Sequence, residues 1–476
     1  MQLIWFRQDL RIHDHTALWH ATQAGPCIAL VILSPKQWQL HHDAAIKIDF
    51  YLRQLKQLQS DLNALNIPLI IHTLDLWKDI PTYIQDLCSK LKIVNVHSNI
   101  EVGVNELNRD VKVQNILEAQ STRFELYHDR TLFPVGSIRN KSDLPYQVFG
   151  AFKKNLYEKL SIALAPCYPA PSTQSEIKVK DLNSDLLDAE ILPTIHDFYP
   201  DFIEREQLWP VGEDSAWNIL DQFLDDHVRY YKTQRDFPDV NGTSQLSTYL
   251  NIGILSIRQC VQALFREHHG HFFIDHEGQQ TWLDELIWRE FYQHILFDFP
   301  RVSKHLPFKS NTQNIVWRNA PEDLQAWQQG QTGIPIVDAG IRQMLATGWM
   351  HNRVRMIVAM FLSKNLLIDW RKGEQWFMQH LIDGDLAANN GGWQWCASTG
   401  TDSVPYFRIF NPVSQSQKFD AEGDYIRRWV PELAHLDAKT IHDPYAKNSQ
   451  MKLDYPRPIV DLKQSRVRAI EAFKSV

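Results

Sequence analysis

Short apolar runs alternate with amphipathic stretches through the first part of the chain. "LIWF" (3–6), "IALVIL" (28–33), "PLIIHT" (68–73), "KIVNVH" (92–97) and "FELYH" (124–128) are brief, apolar and rich in β-branched or aromatic residues, the signature of buried strands. Between them Ile48, Leu52, Leu55, Leu58, Leu62 and Leu65 recur every three or four residues, which predicts a helix with one apolar face. Strand and helix in alternation predict a doubly wound parallel-sheet α/β domain over residues 1–131. From about Leu132 to Pro210 the periodicity breaks into Pro-punctuated sequence such as "APCYPAPS" (165–172), which predicts an interdomain connector over 132–214. Beyond it nearly every segment has helical spacing, so residues 215–476 are expected to form an all-α domain.

Composition narrows the class. The chain has 476 residues, 44% hydrophobic and 22% charged, ordinary globular values too large for one core. Its 5 cysteines are scattered with no CxxC pair, which speaks against a disulfide framework or zinc site and for a reducing cytosol. No signal peptide or membrane-spanning run is present in the sequence, and no metal is expected: "HHGHFFIDH" (268–276) reads as a surface loop. Net charge is -7, yet between Arg301 and Val430 Lys and Arg outnumber Asp and Glu, so a local patch could bind phosphates. Tryptophan is the outlier. There are 16, concentrated between Trp282 and Trp429.

Four segments carry candidate chemistry. In "WLDELIWREFY" a helix would place Glu285, Trp288, Arg289 and Tyr292 on one face; a local Glu–Arg pair would be the plain explanation. In "GWMHNRVRMIVAMFL" Asn352, Arg355 and Met356 share one side and Val354 and Ile357 the other, and an unpartnered Arg and Asn buried beside Met would need a ligand. Thr243, Ser244 and Ser247 in "NGTSQLS" precede a helical run, as N-caps or as phosphate donors. "IDGDLAANNGGWQWCASTG" (382–400) sets two acids and two asparagines beside Trp393 and Trp395, which in a strand or tight turn would face the same way.

With "WFRQDLRIHDHTAL", "RDFPDVNGTSQLS" and "PYFRIFNPVSQSQKFDAEGDYIRRWVPEL", these segments resemble the photolyase and cryptochrome family from residue 2 to about 460, and among its members the bacterial class I cyclobutane pyrimidine dimer photolyases. "YQVFGAF" departs from the family's usual Tyr-x-Val-Phe-Thr-Pro-Phe. The resemblance implies light-driven repair: reduced, excited FAD gives an electron to a flipped-out cyclobutane dimer in damaged DNA and takes it back. Tyr231, Thr243, Ser244, Leu246 and Ser247 would hold the FAD phosphates and ribityl chain, with Trp282 and Arg289 nearby. Asp383 would pair with Arg355 beside the flavin, Asp385 would face its polar end, and Asn389 would adjoin the ring nitrogen that gains and loses a proton. Plant cryptochromes carry Asp at that last position and animal cryptochromes Cys.

The resemblance also implies that Glu285 and Asn352 hydrogen-bond the lesion, that Trp288, Trp395 and Met356 pack around it, and that Arg235, Arg353, Arg408 and Lys418 bind flanking phosphates. The family's (6-4) photolyases have His at the positions of Asn352 and Met356. Trp393, Trp370 and Trp317 match an electron-transfer chain from flavin to surface. His41, Asn105, Glu106 and Lys304 match an antenna site for 5,10-methenyltetrahydrofolate; Ser303 stands where relatives can have Cys, leaving 8-hydroxy-5-deazaflavin as the alternative. A bacterial cytosolic monomer without an obligate protein partner is expected. A cryptochrome-type photoreceptor and a dark flavoprotein oxidoreductase are the rival readings.

Overall fold

The computed structural model describes residues 1–177, 192–446 and 450–474, in two compact units. The first comprises Met1–Asp226 and Ser244–Pro300, the second His227–Thr243 and Arg301–Val476.

All five expected strands form: β1 (Gln2–Phe6), β2 (Cys27–Leu33), β3 (Leu69–Thr73), β4 (Asn95–Asn99) and β5 (Arg123–Tyr127). They make one parallel sheet in the order β3-β2-β1-β4-β5. The near-continuous apolar character of β1 and β2 follows from burial on both faces, one under Leu18, Leu52, Leu55 and Leu58, the other under Ile84, Leu87, Val113 and Leu117. The spaced leucines lie on the Ala45–Ala64 helix as the periodicity predicts.

The stretch expected as a connector differs from a plain loop. Phe149, Phe152, Leu156 and Leu160 are the buried stripe of a helix, Phe149–Ile162, which packs on the long helix Glu277–Asp298. Residues 178–191 of that stretch lie outside the described residues. Glu290, wholly buried in the long helix, accepts from the backbone N–H groups of Leu132 and Phe133 at 2.8 and 3.0 Å, so it fixes the start of the stretch.

The second unit is helical. Gly340 lets its helix Pro335–Thr347 meet the Asn352–Met360 helix closely; a Cβ there would lie 2.4 Å from Val354 Cγ1. The helices Trp370–His380 and Leu386–Ala397 pack on each other beside this pair. One core of buried aliphatic and aromatic side chains joins them, including Trp327, Trp370 and Trp393. Among the described residues no helix is long and apolar enough to cross a membrane.

Candidate functional site

The segment 382–400 is not a strand or tight turn. Asp385 caps the Leu386–Ala397 helix, its Oδ1 accepting the Ala388 N–H at 2.9 Å, and burial outweighs the poor propensity of the two asparagines and two glycines. On a helix, residues two apart diverge by about 200°, so Trp393 and Trp395 do not share a direction. Trp393 is buried against Phe377 and Trp327, with ring centroids at 4.9 and 6.0 Å, whereas Trp395 is half-buried.

The acids of this segment acquire partners through the fold. Arg355 Nη2 lies 3.0 and 2.9 Å from the two oxygens of Asp383, and its Nε donates to the Met350 carbonyl at 2.7 Å. Asn389 donates its side-chain N–H to the Glu374 carbonyl at 2.9 Å, which turns its own oxygen away from that helix. Four residues on, and so on the same face, the indole N–H of Trp393 is buried with no hydrogen-bond partner among the described residues. An unmet buried donor costs about 1–3 kcal/mol. This face therefore carries one orphaned donor, the Trp393 indole N–H, and the Asn389 side-chain oxygen as an acceptor, which fits a bound group with both acceptors and donors.

Glu374 was not legible as a site residue. Buried, it receives Asn390 Nδ2 on one oxygen at 2.8 Å and faces His305 Nδ1 with the other at 2.9 Å, a contact that raises the His305 pKa. Its backbone and side chain together fix the two asparagines. The one signal in the sequence is a lone acid beside Gly373 in an otherwise apolar helix face.

The Asn352–Met360 helix has the predicted sidedness: Val354 and Ile357 are buried, Arg355 and Met356 half-buried. Asn352 is exposed and Arg355 is paired, so no unpartnered polar group needs a ligand here. Arg353 joins a cluster at the helix start. Its guanidinium contacts Asp236 and lies 4.5 Å from the Phe419 ring centre, with Lys418 on that ring at 5.0 Å and Arg235 Nε 4.0 Å from the same Asp236. Arg408 is exposed; Tyr231 is buried, and Thr243, at the end of the same His227–Thr243 segment as Tyr231, is half-buried. Trp370 and Trp393 are buried and Trp317 is half-buried at the core's edge, 6.0 Å from Phe473, so of the three only the outermost expected member meets solvent.

Other candidates belong to the first unit. Glu285, Trp288, Arg289 and Tyr292 form a half-buried stripe on the Glu277–Asp298 helix, as predicted. Beyond any local partner, the Arg289 guanidinium donates to the carbonyls of Arg130 and Leu250 at 2.7 and 3.3 Å. Trp288 is stacked on Phe149 at 3.6 Å with rings 8° from parallel, so one face is already covered. The hydroxyls of 243–247 do not cap: Leu246 occupies the N-cap position of Ser247–Asn251, and Ser244 Oγ instead accepts the Trp282 indole N–H at 3.4 Å.

Three of the four antenna candidates meet in this unit. Asn105 Nδ2 and Gln37 Nε2 each lie 3.0 Å from His41 Nε2, which makes that nitrogen an acceptor, and burial lowers the His41 pKa accordingly. Burial, with repulsion from Glu101, pushes the Glu106 carboxyl up to about 7. Beside them, at the carboxyl ends of β1 and β2, opens a cleft lined by Trp5, Trp38, Trp77, Tyr51, Arg7 and Arg109. Lys304 is exposed and belongs to the second unit. The 268–276 histidines lie in a largely exposed segment, where His268 contacts Asp275.

Comparison with known proteins adds to this geometry. A family profile described as DNA photolyase matches residues 2–172, and one described as the FAD binding domain of DNA photolyase matches 282–475. The deoxyribodipyrimidine photo-lyase of Escherichia coli (strain K12) is 42% identical over 477 residues, covering 99% of this chain and 98% of that protein. A bacterial class III photolyase from Agrobacterium tumefaciens superposes with a TM-score of 0.83 at 34% identity, over 100% of this chain and 97% of the other. A cryptochrome from Synechocystis sp. PCC6803 superposes at 0.84 with 28% identity, over 99% of each chain.

Proposed function

The chain belongs to the DNA photolyase family, and from that premise we propose that it is a deoxyribodipyrimidine photo-lyase that opens cyclobutane pyrimidine dimers in DNA. The observation that carries this reading is the helix face holding Asn389 and Trp393. A neutral amide there adds no negative charge beside an electron-rich flavin, whereas a carboxylate would have to be protonated to be tolerated. Bound FAD in its reduced form supplies the excited-state electron that opens the cyclobutane ring and accepts it back.

The protein's own groups bind, orient and exclude water. Arg355, paired with Asp383, would lie beside the cofactor's ring system and Asp385 would face its polar end; Tyr231, Thr243, Ser244, Leu246 and Ser247 would hold its phosphates and ribityl chain, with Trp282 and Arg289 nearby. Glu285, protonated when it donates, and Asn352 stabilise the charge developing on the lesion. Met356, Trp395 and the uncovered face of Trp288 pack against it, and unstacking the damaged bases is the easier because a dimer stacks poorly. Arg235, Arg353, Arg408 and Lys418 bind flanking phosphates. Trp393, Trp370 and Trp317 carry an electron inward when the flavin must be reduced.

His41, Asn105, Glu106 and Lys304 would hold a second chromophore, and the Glu106 carboxyl, raised by burial, would donate to a ring acceptor in its protonated form. A folate is the first candidate and a deazaflavin in the neighbouring aromatic cleft the second. The α/β portion is then the antenna module and residues 215–476 the catalytic part, acting on DNA in the cytoplasm as a monomer. Absorption of the purified protein, with restoration of an oligonucleotide bearing one cyclobutane dimer in light and in darkness, tests the whole reading. Flavin bands and light-dependent restoration are expected. Absence of flavin, or flavin without restoration, overturns it, the second outcome in favour of a photoreceptor or a dark oxidoreductase.

A further inference from the structure

The segment carrying Arg235 also carries two acids, and each is engaged by an arginine distant in sequence. Asp236 Oδ1 lies 2.7 Å from Arg353 Nη2 and 3.3 Å from its Nε, and Asp239 Oδ1 lies 2.7 Å from Arg428 Nη2. Both pairs keep solvent contact to different degrees: the Asp236 and Asp239 side chains are 32% and 31% exposed, Arg428 57% and Arg353 16%, while Asp239 Oδ1 itself is buried. Phe237 lies between the two acids in sequence and packs at 6.3 Å against Phe419, the ring that Arg353 covers, so the segment is anchored beside the Arg353 pair.

We infer that Asp236 and Asp239 are specificity-determining residues that compete with DNA phosphates for Arg353 and Arg428, and so suppress binding to undamaged DNA. The inference rests on the DNA-binding reading given above. Ion pairs open to solvent on one side are weakly held, so a phosphate docked on the guanidinium with two parallel hydrogen bonds can displace the carboxylate. A duplex held only by its diffuse field cannot. At separations near the Debye length it meets a neutral pair in place of a cation. The carboxylates therefore penalise loosely held DNA more than a lesion complex in which phosphates are drawn into contact. No sequence window shows this, because Asp236 and Arg353 are 117 positions apart.

Fluorescence anisotropy with D236N, D239N and the double variant tests it, using an undamaged duplex and the same duplex with one cyclobutane dimer across a salt series. Asn keeps the shape and removes the charge. Each substitution is expected to tighten the undamaged duplex roughly three- to tenfold at low salt, to steepen its salt dependence by about one ion, and to tighten the lesion duplex less. Equal tightening of both duplexes, unchanged affinity, or weakening of either overturns the inference, since the acids would then be inert or would serve to orient the arginines. A wild-type protein that binds the two duplexes alike overturns the repair reading itself. Wild-type selectivity with unresponsive variants overturns only the role of the two acids.

Discussion

Gly373 and Trp393 touch backbone to ring: a Cβ at Gly373 would stand 2.1 Å from Cη2 of the indole. The absent side chain is what lets the Trp370–His380 helix close over the innermost tryptophan. Ala in place of a helical Gly ordinarily gains about 1 kcal/mol. Here overpacking opposes it, by about 1–3 kcal/mol. Gly373→Ala is therefore expected to lower the melting temperature and, by shifting Trp393, to slow light-driven reduction of oxidised FAD. A variant as stable as wild type, with unchanged photoreduction, would show that the ring has room to move.

The outer end of the chain gives a second test. Trp317 is half-buried at the edge of the core while Trp370 and Trp393 are buried, so an electron entering from solvent reaches Trp317 first. Trp317→Phe keeps the packing against Phe473 and removes an oxidisable ring. Photoreduction should fall at least tenfold, and repair by chemically reduced enzyme should stay near wild type. Unimpaired photoreduction would point to a bypass, for which Trp327, 6.0 Å from Trp393, is the nearest indole contact described.

What could be read from the sequence divides along physical lines. Strands buried on both faces must be apolar throughout, and the stripes on the Ala45–Ala64 and Glu277–Asp298 helices follow local periodicity, so these were legible. The Leu386–Ala397 helix was not, because Asn-Asn-Gly-Gly argues against a helix until the Asp385 cap and the core around Trp393 outweigh propensity. Pairings between distant segments were equally hidden. Arg353 and Glu290 are bound to partners more than a hundred residues away, Asp236 in one case and the Leu132 and Phe133 backbone in the other, and no window of sequence contains both sides.

Glu106 links stability to pH. Burial raises its carboxyl from the ordinary 4.5 to about 7, so the folded protein retains a proton that the unfolded chain releases. Stability should therefore fall as pH climbs from about 4.5 to 7 and level off above. Glu106→Gln removes the titration. Its thermal stability relative to wild type should rise between pH 5 and pH 8, by about 1–2 kcal/mol once residual solvent contact is allowed for. A relative fall over that range would mean that Glu106 is ionised and paired, with Arg109 as the partner at hand.

On the proposed reading, lesion choice would be decided on the side of the Asn352–Met360 helix that carries Asn352 and Met356. Splitting a cyclobutane needs an electron and stabilisation of the charge it brings, which donors such as Asn352 and a protonated Glu285 can provide. Restoring a (6-4) product also needs a proton delivered to the oxygen that moves between the bases. Asn has no proton to give near neutrality, and the Met356 thioether is only a weak acceptor. The adjoining imidazole cannot substitute. His351 is 2% exposed, burial lowers its pKa to about 4, and its Nδ1 accepts the Arg353 N–H at 3.2 Å as the helix cap. Illumination of reduced enzyme with two oligonucleotides, one per lesion, should restore the cyclobutane strand and leave the (6-4) strand intact. Single replacement of Asn352 by His should not confer (6-4) repair, because the position of Met356 would still lack a second titrating group. Restoration of the (6-4) strand by the unaltered protein would require a proton donor other than these residues and would reassign its substrate.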